Sequence, residues 1–254
     1  MAHTVCVVNQ KGGVGKTTTA INFAAAIAVK KFKTLIVDCD PQANATTGLG
    51  IDKKNLNNTL YNLLIENQNA ADIIFDTEID TLKIIPSRME LIGFEIEMLN
   101  NPNRENLLKD ILKSIDYMFD YIVIDCPPSL NLLTVNAMTA ANSLLIPIQS
   151  EFYALEGLSQ LLETVKRIKI KLNPNLIILG ILLTMFDKRT NLSRQVLEEA
   201  EKYFSDLIFK AKIPRNVSLG EAPSFGQSII TYAPDSIGAQ SYSALTDEIL
   251  NKKR

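Results

Sequence analysis

The feature that most constrains this chain is a change of texture near its start. The apolar run Val5, Cys6, Val7, Val8 breaks into Asn9-Gln10-Lys11-Gly12-Gly13-Val14-Gly15-Lys16-Thr17-Thr18, and an alanine-rich helical pattern continues over 17–30. A short strand, a glycine turn and a lysine at the head of a helix form the local order of a phosphate-binding loop. Glycines let successive backbone N–H groups turn inward into a concave anion site, and the helix N-terminus adds its partial positive charge. On this reading Lys16 reaches the β- and γ-phosphates of a nucleotide and the Thr17 hydroxyl ligates a magnesium ion. The general pattern G-x-x-x-x-G-K-[ST] wants glycine at position 10, where this chain has Gln10; it carries a second lysine, Lys11, directly before the glycines. A glycine-rich turn with incidental lysines would not be expected in register with both a strand and a helix.

Such a loop needs a sheet around it. Residues 5–8, 35–37, 82–85, 121–124, 144–148 and 176–183 are short apolar runs rich in Ile and Val, suited to strands buried on both faces. Helical patterns over 17–30, 56–65, 106–117, 155–172, 192–204 and 242–252 alternate with them. This order predicts an α/β fold: a doubly wound, mostly parallel sheet with helices on both faces, of the P-loop NTPase kind. With 254 residues, 46% of them hydrophobic, the chain can bury a large core without a disulfide or metal staple. No repeat, low-complexity tract or linker interrupts it, so one ATPase domain over 1–254 is expected.

Two further stretches carry carboxylates. The strand at 121–124 ends in Asp125, the pattern of an aspartate that supports magnesium, but Cys126, Pro127 and Pro128 follow where many ATPases place a catalytic Glu. The water-orienting group is therefore expected from Asp38 or Asp40 in Val37-Asp38-Cys39-Asp40-Pro41-Gln42, after the second strand, whose end should lie beside the phosphate loop. Alternation puts both side chains on one side, facing the γ-phosphate. The chain has no Asn-Lys-x-Asp guanine motif, so ATP is the expected nucleotide.

These residues resemble the ParA/MinD ATPases with their deviant Walker A box. Lys11 to Thr19 is similar to that box, residues 37–46 to the acidic box after it, and Ile124-Asp125-Cys126-Pro127-Pro128-Ser129 to the Walker B. Glu151-Phe152-Tyr153-Ala154-Leu155-Glu156-Gly157, Leu183-Thr184-Met185-Phe186-Asp187, Ile213-Pro214-Arg215-Asn216-Val217 and Glu221-Ala222-Pro223-Ser224-Phe225-Gly226 also match, most closely the short chromosomal ParA (Soj-like) proteins. The resemblance implies a slow, partner-stimulated ATP hydrolase in chromosome or plasmid partitioning, with ATP and Mg²⁺ as cofactors. It implies an ATP-dependent homodimer that binds double-stranded DNA non-specifically and a ParB-like protein that stimulates hydrolysis. Carried over by position, Lys11, Gly12, Gly13, Val14, Gly15, Lys16, Thr17 and Thr18 hold the nucleotide together with Asp38. Lys11 crosses to the partner's nucleotide, Asp40 orients water, Thr17 and Asp125 serve magnesium, and Pro214 and Asn216 touch the adenine. Lys188 and Arg189 match a basic position that contacts DNA, to which Lys252, Lys253 and Arg254 would add phosphate contacts. Ser218 stands where Soj-like proteins commonly place Arg.

The formal net charge of −2 excludes a chain coated uniformly in positive charge but leaves room for a local basic face. Cys6, Cys39 and Cys126 lack CxxC spacing and sit in or beside strand-like runs. They are expected as small buried residues of a reducing cytoplasm rather than metal or cluster ligands. Met1-Ala2-His3-Thr4 shows no basic segment leading into an apolar stretch, and no apolar run reaches the length of a membrane span. A cytoplasmic protein associated with the nucleoid, with no membrane partner, is the expectation. The alternative, a MinD-like membrane-associated positioning ATPase, would need an amphipathic C-terminal helix; Tyr242, Leu245, Ile249 and Leu250 are read instead as the core face of the last helix.

Overall fold

The computed structural model describes residues 1–254 apart from 54, 67, 152, 153, 253 and 254, and the backbone but not the side chains of 154 and 252. Among the described residues, seven strands make one sheet: β1 His3–Val7, β2 Thr34–Asp38, β3 Phe75–Asp76, β4 Leu82–Ile85, β5 Tyr121–Asp125, β6 Ser143–Gln149 and β7 Ile177–Thr184, in the order β3-β4-β2-β5-β1-β6-β7. Every pair is parallel except the short β3 against β4. β2 and β5 are buried along their whole length, which explains their unbroken apolar runs: both faces are covered, so no polar alternation is required.

The two faces carry separate cores. One packs the helices Leu60–Ile65, Leu107–Ile115, Leu132–Ala140, Ala154–Lys171 and Asn191–Phe204 on residues such as Cys6, Ile122 and Ile146. The other packs the helix Lys16–Ala28 and the C-terminal helix Ile237–Lys252 on Val5, Ile36 and Val123. Lys16–Ala28 is alanine-rich because it is hemmed in on every side: from Ala20 to Ala28 all of its residues are buried. A 3.1 Å hydrogen bond between the Thr19 and Tyr242 hydroxyls joins these two helices. Tyr242, Leu245 and Ile249 are fully buried, as a core face requires. No helix among the described residues is long and apolar enough to cross a membrane.

The structure adds detail that the sequence pattern leaves open, and it moves one boundary. β5 lies between β1 and β2, and the register sets Asp38 beside Asp125 and Asp125 beside Val7. The helix Leu132–Ala140 was not foreseen. It is buried on nearly every side, so it has no polar face to give an amphipathic period. The helix expected from residue 56 begins at Leu60, where Thr59 and Asn62 form a capping box with Asn in place of the usual Glu or Gln.

Candidate active site

The phosphate loop is shaped by backbone geometry first. Gly13 (φ 75°) and Gly15 (φ 82°) take the left-handed conformation, and Gly15 is the cap from which the helix Lys16–Ala28 starts. Side chains are poorly tolerated there. Position 10 makes no such demand, and Gln10 serves as a tether, donating from Nε2 to the Gly157 carbonyl (3.2 Å) and to Gln160 Oε1 (2.8 Å). Buried Asn9 donates to the Pro147 carbonyl (2.8 Å) and accepts the Lys11 amide (2.9 Å). From the end of β7, the Thr184 hydroxyl lies 2.8 Å from the Val14 carbonyl and 3.1 Å from that of Ile148. The loop is thus pinned to β6, β7 and the helix Ala154–Lys171.

The two lysines diverge. Lys16 is buried, and its ammonium donates to the Lys11 carbonyl at 2.8 Å, inside the curl of the loop. Burial pulls its pKa down, against the pull of Asp125, Cys126 and Asp40. Lys11 turns outward to the rim, where its half-exposed ammonium pairs with Glu151.

Asp38 and Asp125 sit side by side at the carboxyl ends of β2 and β5, yet their surroundings differ. Asp38 accepts the Thr46 amide (2.8 Å), the Thr46 hydroxyl (2.7 Å) and the Asp40 amide (3.1 Å). Burial raises its pKa to about 6 in spite of these bonds. The Thr46 hydroxyl in turn accepts the Ser87 amide at 2.9 Å. These bonds make Asp38 a clasp that shapes the loop after β2. Asp40 stands at the mouth of that loop, its Oδ1 accepting the Gln42 amide at 2.9 Å. Ala43, held at φ 55° by the same turn, starts the short helix Asn44–Gly48.

Asp125 is sealed from solvent, and no hydrogen bond of normal geometry reaches either oxygen. Burial and then Asp38 push its carboxyl well above the usual range; the nearby Thr17 hydroxyl and Lys16 oppose the shift. An unpartnered buried carboxylate is costly unless another group completes it. A divalent cation is a chemically fitting complement to this acid and the adjacent Thr17 hydroxyl, one hard oxygen donor beside another.

Beside the loop opens a cleft of about 460 Å³, a size suited to a small-molecule ligand. Thr18, Thr184, Met185, Pro214, Asn216 and Tyr242 are among its walls, so Pro214 and Asn216 come together with the loop. The Asn216 side chain caps the helix Val217–Glu221, accepting the Leu219 amide at 3.3 Å. A second cavity, past the end of β7, gathers Asp187, Lys188, Arg189, Lys212 and Arg215. Lys188 and Arg189 are exposed as expected, but Arg189 forks onto Asp187 with bonds of 2.9 and 2.7 Å, and this holds the Asp187 pKa down at about 2. Lys212 and Arg215 were not anticipated in this cluster; they sit more than twenty residues along the chain, where no spacing rule ties them to Lys188. Lys252 ends the last helix, its side chain outside the described atoms, and Lys253 and Arg254 lie outside the described residues, as do Phe152 and Tyr153.

Fold and loop together define a P-loop nucleoside triphosphatase. A family model described as AAA domain matches residues 2–178. Soj, a sporulation initiation inhibitor protein of Bacillus subtilis, is 51% identical over 98% of both chains. The chromosome partitioning protein ParA of Myxococcus xanthus is 50% identical over 98% of this chain and 88% of its own. Among solved structures, cobyrinic acid a,c-diamide synthase of Mycobacterium smegmatis with bound ATP analogue and magnesium superposes with a TM-score of 0.88 at 33% identity, over 100% of this chain and 96% of its own. The chain belongs to the ParA/MinD family of ATPases, on its ParA and Soj side. It is an ATP hydrolase.

Proposed function

We propose that this chain partitions a chromosome or plasmid as an ATP-gated dimer, residues 1–254 acting as one ATPase unit in the cytoplasm, on the nucleoid. The observation that carries the reading is the divergence of the two lysines. Lys16 occupies its own loop, whereas Lys11 holds its charge at the rim in an exchangeable surface pair with Glu151. Facing copies would each offer Lys11 to the other's nucleotide, so hydrolysis depends on dimerisation, in the way a transferred cation speeds phosphoryl transfer by roughly 10³ to 10⁵.

In this mechanism Gly12, Gly13, Val14, Gly15 and Thr18 wrap the phosphates and Lys16 neutralises them. Pro214 and Asn216 hold the base. Thr17 and Asp125 hold magnesium, whose charge offsets that on the phosphate oxygens. Asp40 orients a water molecule for in-line attack on the γ-phosphorus as the bond to the bridging oxygen breaks, leaving ADP and phosphate. Lys188 and Arg189, with Lys252 at the tail and Lys212 and Arg215 added, meet the DNA backbone without reading sequence, and a ParB-like partner stimulates hydrolysis and release. The relatives named for chromosome partitioning support this reading over a membrane-positioning one, as does the burial of Tyr242, Leu245 and Ile249.

The test is DNA binding and sedimentation with ADP, ATP and a slowly hydrolysed analogue. Wild type should dimerise and bind DNA only with ATP or the analogue. Lys11→Ala should still bind ATP but stay monomeric; an ATP dimer as stable as wild type would refute the trans lysine.

A further inference from the structure

The end of β7 holds a strained residue. Along the outer edge of this strand runs the segment after residue 208, joined to it by parallel bridges from Ile181 to Ile208 and from Phe186 to Pro214. Ile213 donates its amide to the Leu183 carbonyl and accepts the Phe186 amide, both at 2.9 Å. An unbroken parallel pairing would set one residue opposite Ile213. Here Thr184 and Met185 both lie between its two partners, so the chain bulges at the end of β7. Met185 takes up the extra length at φ 50°, a left-handed conformation that among the described non-glycine residues only Lys31 and Ala43 share. Side chains disfavour it, and where one persists there the surroundings impose it.

The bulge sends neighbouring side chains to different places. The buried Thr184 hydroxyl goes to the Val14 and Ile148 carbonyls and so to the phosphate loop. Leu183 and Phe186 pack into the core on one face of the sheet. Met185 packs into neither core; it is half-buried and forms part of the wall of the 460 Å³ cleft, with Pro214, Asn216 and Tyr242. Delivering Thr184 alone would not call for a methionine, because glycine fits a positive φ without strain. The polar groups nearby are already engaged: the Asn216 oxygen accepts the Leu219 amide, and the Tyr242 hydroxyl is bonded to Thr19. An unbranched, polarisable thioether beside Pro214 is what this part of the cleft offers to a flat ring.

We propose that Met185 positions the base of the bound nucleotide by laying its thioether on the ring face, and that it thereby favours purines over pyrimidines. Contact of this kind grows with the apolar area covered, so the larger ring gains more. It carries no hydrogen-bond code and does not tell adenine from guanine. One residue thus links the two ends of the nucleotide: the bulge that aims Met185 at the base also fastens the phosphate loop through Thr184. The inference rests on the reading that the base lies beside Pro214 and Asn216, and it is independent of dimerisation and of DNA.

The experiment measures binding of ADP, GDP, CDP and inorganic pyrophosphate to the full chain by calorimetry. Wild type should bind ADP more tightly than CDP, and both more tightly than pyrophosphate. Met185→Gly removes the side chain and the strain together. Its ADP affinity should fall about 10-fold, as for the loss of a partly covered apolar side chain, while pyrophosphate affinity changes less than about two-fold. The circular dichroism melt should not fall, since glycine relieves the positive φ. The preference for ADP over CDP should shrink and the ratio of ADP to GDP should stay. Met185→Asn, which also tolerates this conformation, should reproduce the loss, and Met185→Leu should keep ADP affinity within about three-fold. Undiminished ADP binding by both Met185→Gly and Met185→Asn, or an unchanged preference over CDP, overturns the proposal. A parallel loss of pyrophosphate binding overturns it too, because Met185 would then act on the phosphate loop through Thr184. Equal affinity of wild type for ADP and pyrophosphate would instead take the base out of the cleft, and the reading beneath the proposal would fall with it.

Discussion

The carboxyl edge of the sheet, at the ends of β1 and β5, and the basic face beyond β7 carry charge in opposite ways. At the edge, Lys16, Asp38, Asp40 and Asp125 are all buried, and the loops that bear them are fastened by Asn9, Thr46 and Thr184. On the basic face, Lys188, Arg189 and Arg215 are exposed, and what restrains Arg189 is a carboxylate two residues before it. Chemistry at a phosphate needs charges fixed in place beforehand, because their reorganisation would add to the barrier. Attraction to a polyanion responds to the field over a patch and tolerates motion. The first region should therefore fail abruptly on losing one group, and the second should respond in steps.

The largest effect is expected at Lys16. Lys16→Ala removes the buried cation of the loop and should weaken nucleotide binding by roughly 10² to 10³. Calorimetry giving full affinity would mean that the loop backbone alone holds the phosphates. Asp40→Ala should keep nucleotide but slow hydrolysis by roughly 10². Unchanged turnover in a phosphate-release assay would move the water-orienting role away from this loop, since Asp38 is already engaged by Thr46.

Thr46→Val tests the fastening itself. The hydroxyl donates to Asp38 and accepts the Ser87 amide, so its loss leaves two buried groups each short of a partner. About 2–4 kcal/mol of stability should go, measured by urea unfolding. A loss well below 1 kcal/mol would show that the edge can relax, and the contrast between the two regions would blur.

The same contrast governs what could be read from the sequence. Lys16, Thr17 and Asp125 are legible because strand, turn and helix are contiguous and their order has a physical cause. The clasp between Asp38 and Thr46 is not: eight residues separate them and the turn through Ala43 that joins them follows no common spacing. The pairing of Lys11 with Glu151 spans 140 positions, and the register that interposes β5 between β1 and β2 arises from the crossovers. On the basic face, Lys188 and Arg189 were visible as a pair, while Lys212 and Arg215 join them only because the segment after residue 208 runs along β7, bridging Ile181 to Ile208 and Phe186 to Pro214.

The smallest effects belong to that face and decide what Asp187 does there. Arg189→Glu should cost about 10-fold or more in DNA affinity and flatten the salt dependence, by roughly 0.9 log units per log salt for each contact and two contacts in a symmetric dimer. Asp187 competes with any phosphate for the same guanidinium. Asp187→Asn should free Arg189 and remove a like charge, tightening binding by about two- to five-fold, the modest scale of an exposed ion pair. The sign with pH follows from the depressed pKa of about 2: the pair is intact above the ordinary carboxylate range and is lost only as the pH falls toward 2. Wild-type DNA affinity should therefore gain nothing from release of this pair between pH 8 and 6, whereas Asp187→Asn should be tighter across the whole interval. A salt titration with ATP analogue present separates the outcomes. Tighter binding with a steeper slope identifies the carboxylate as a competitor for DNA. Weaker binding with an unchanged slope would identify it as the support that holds Arg189 in position, and the basic face would then share the fixed geometry of the carboxyl edge.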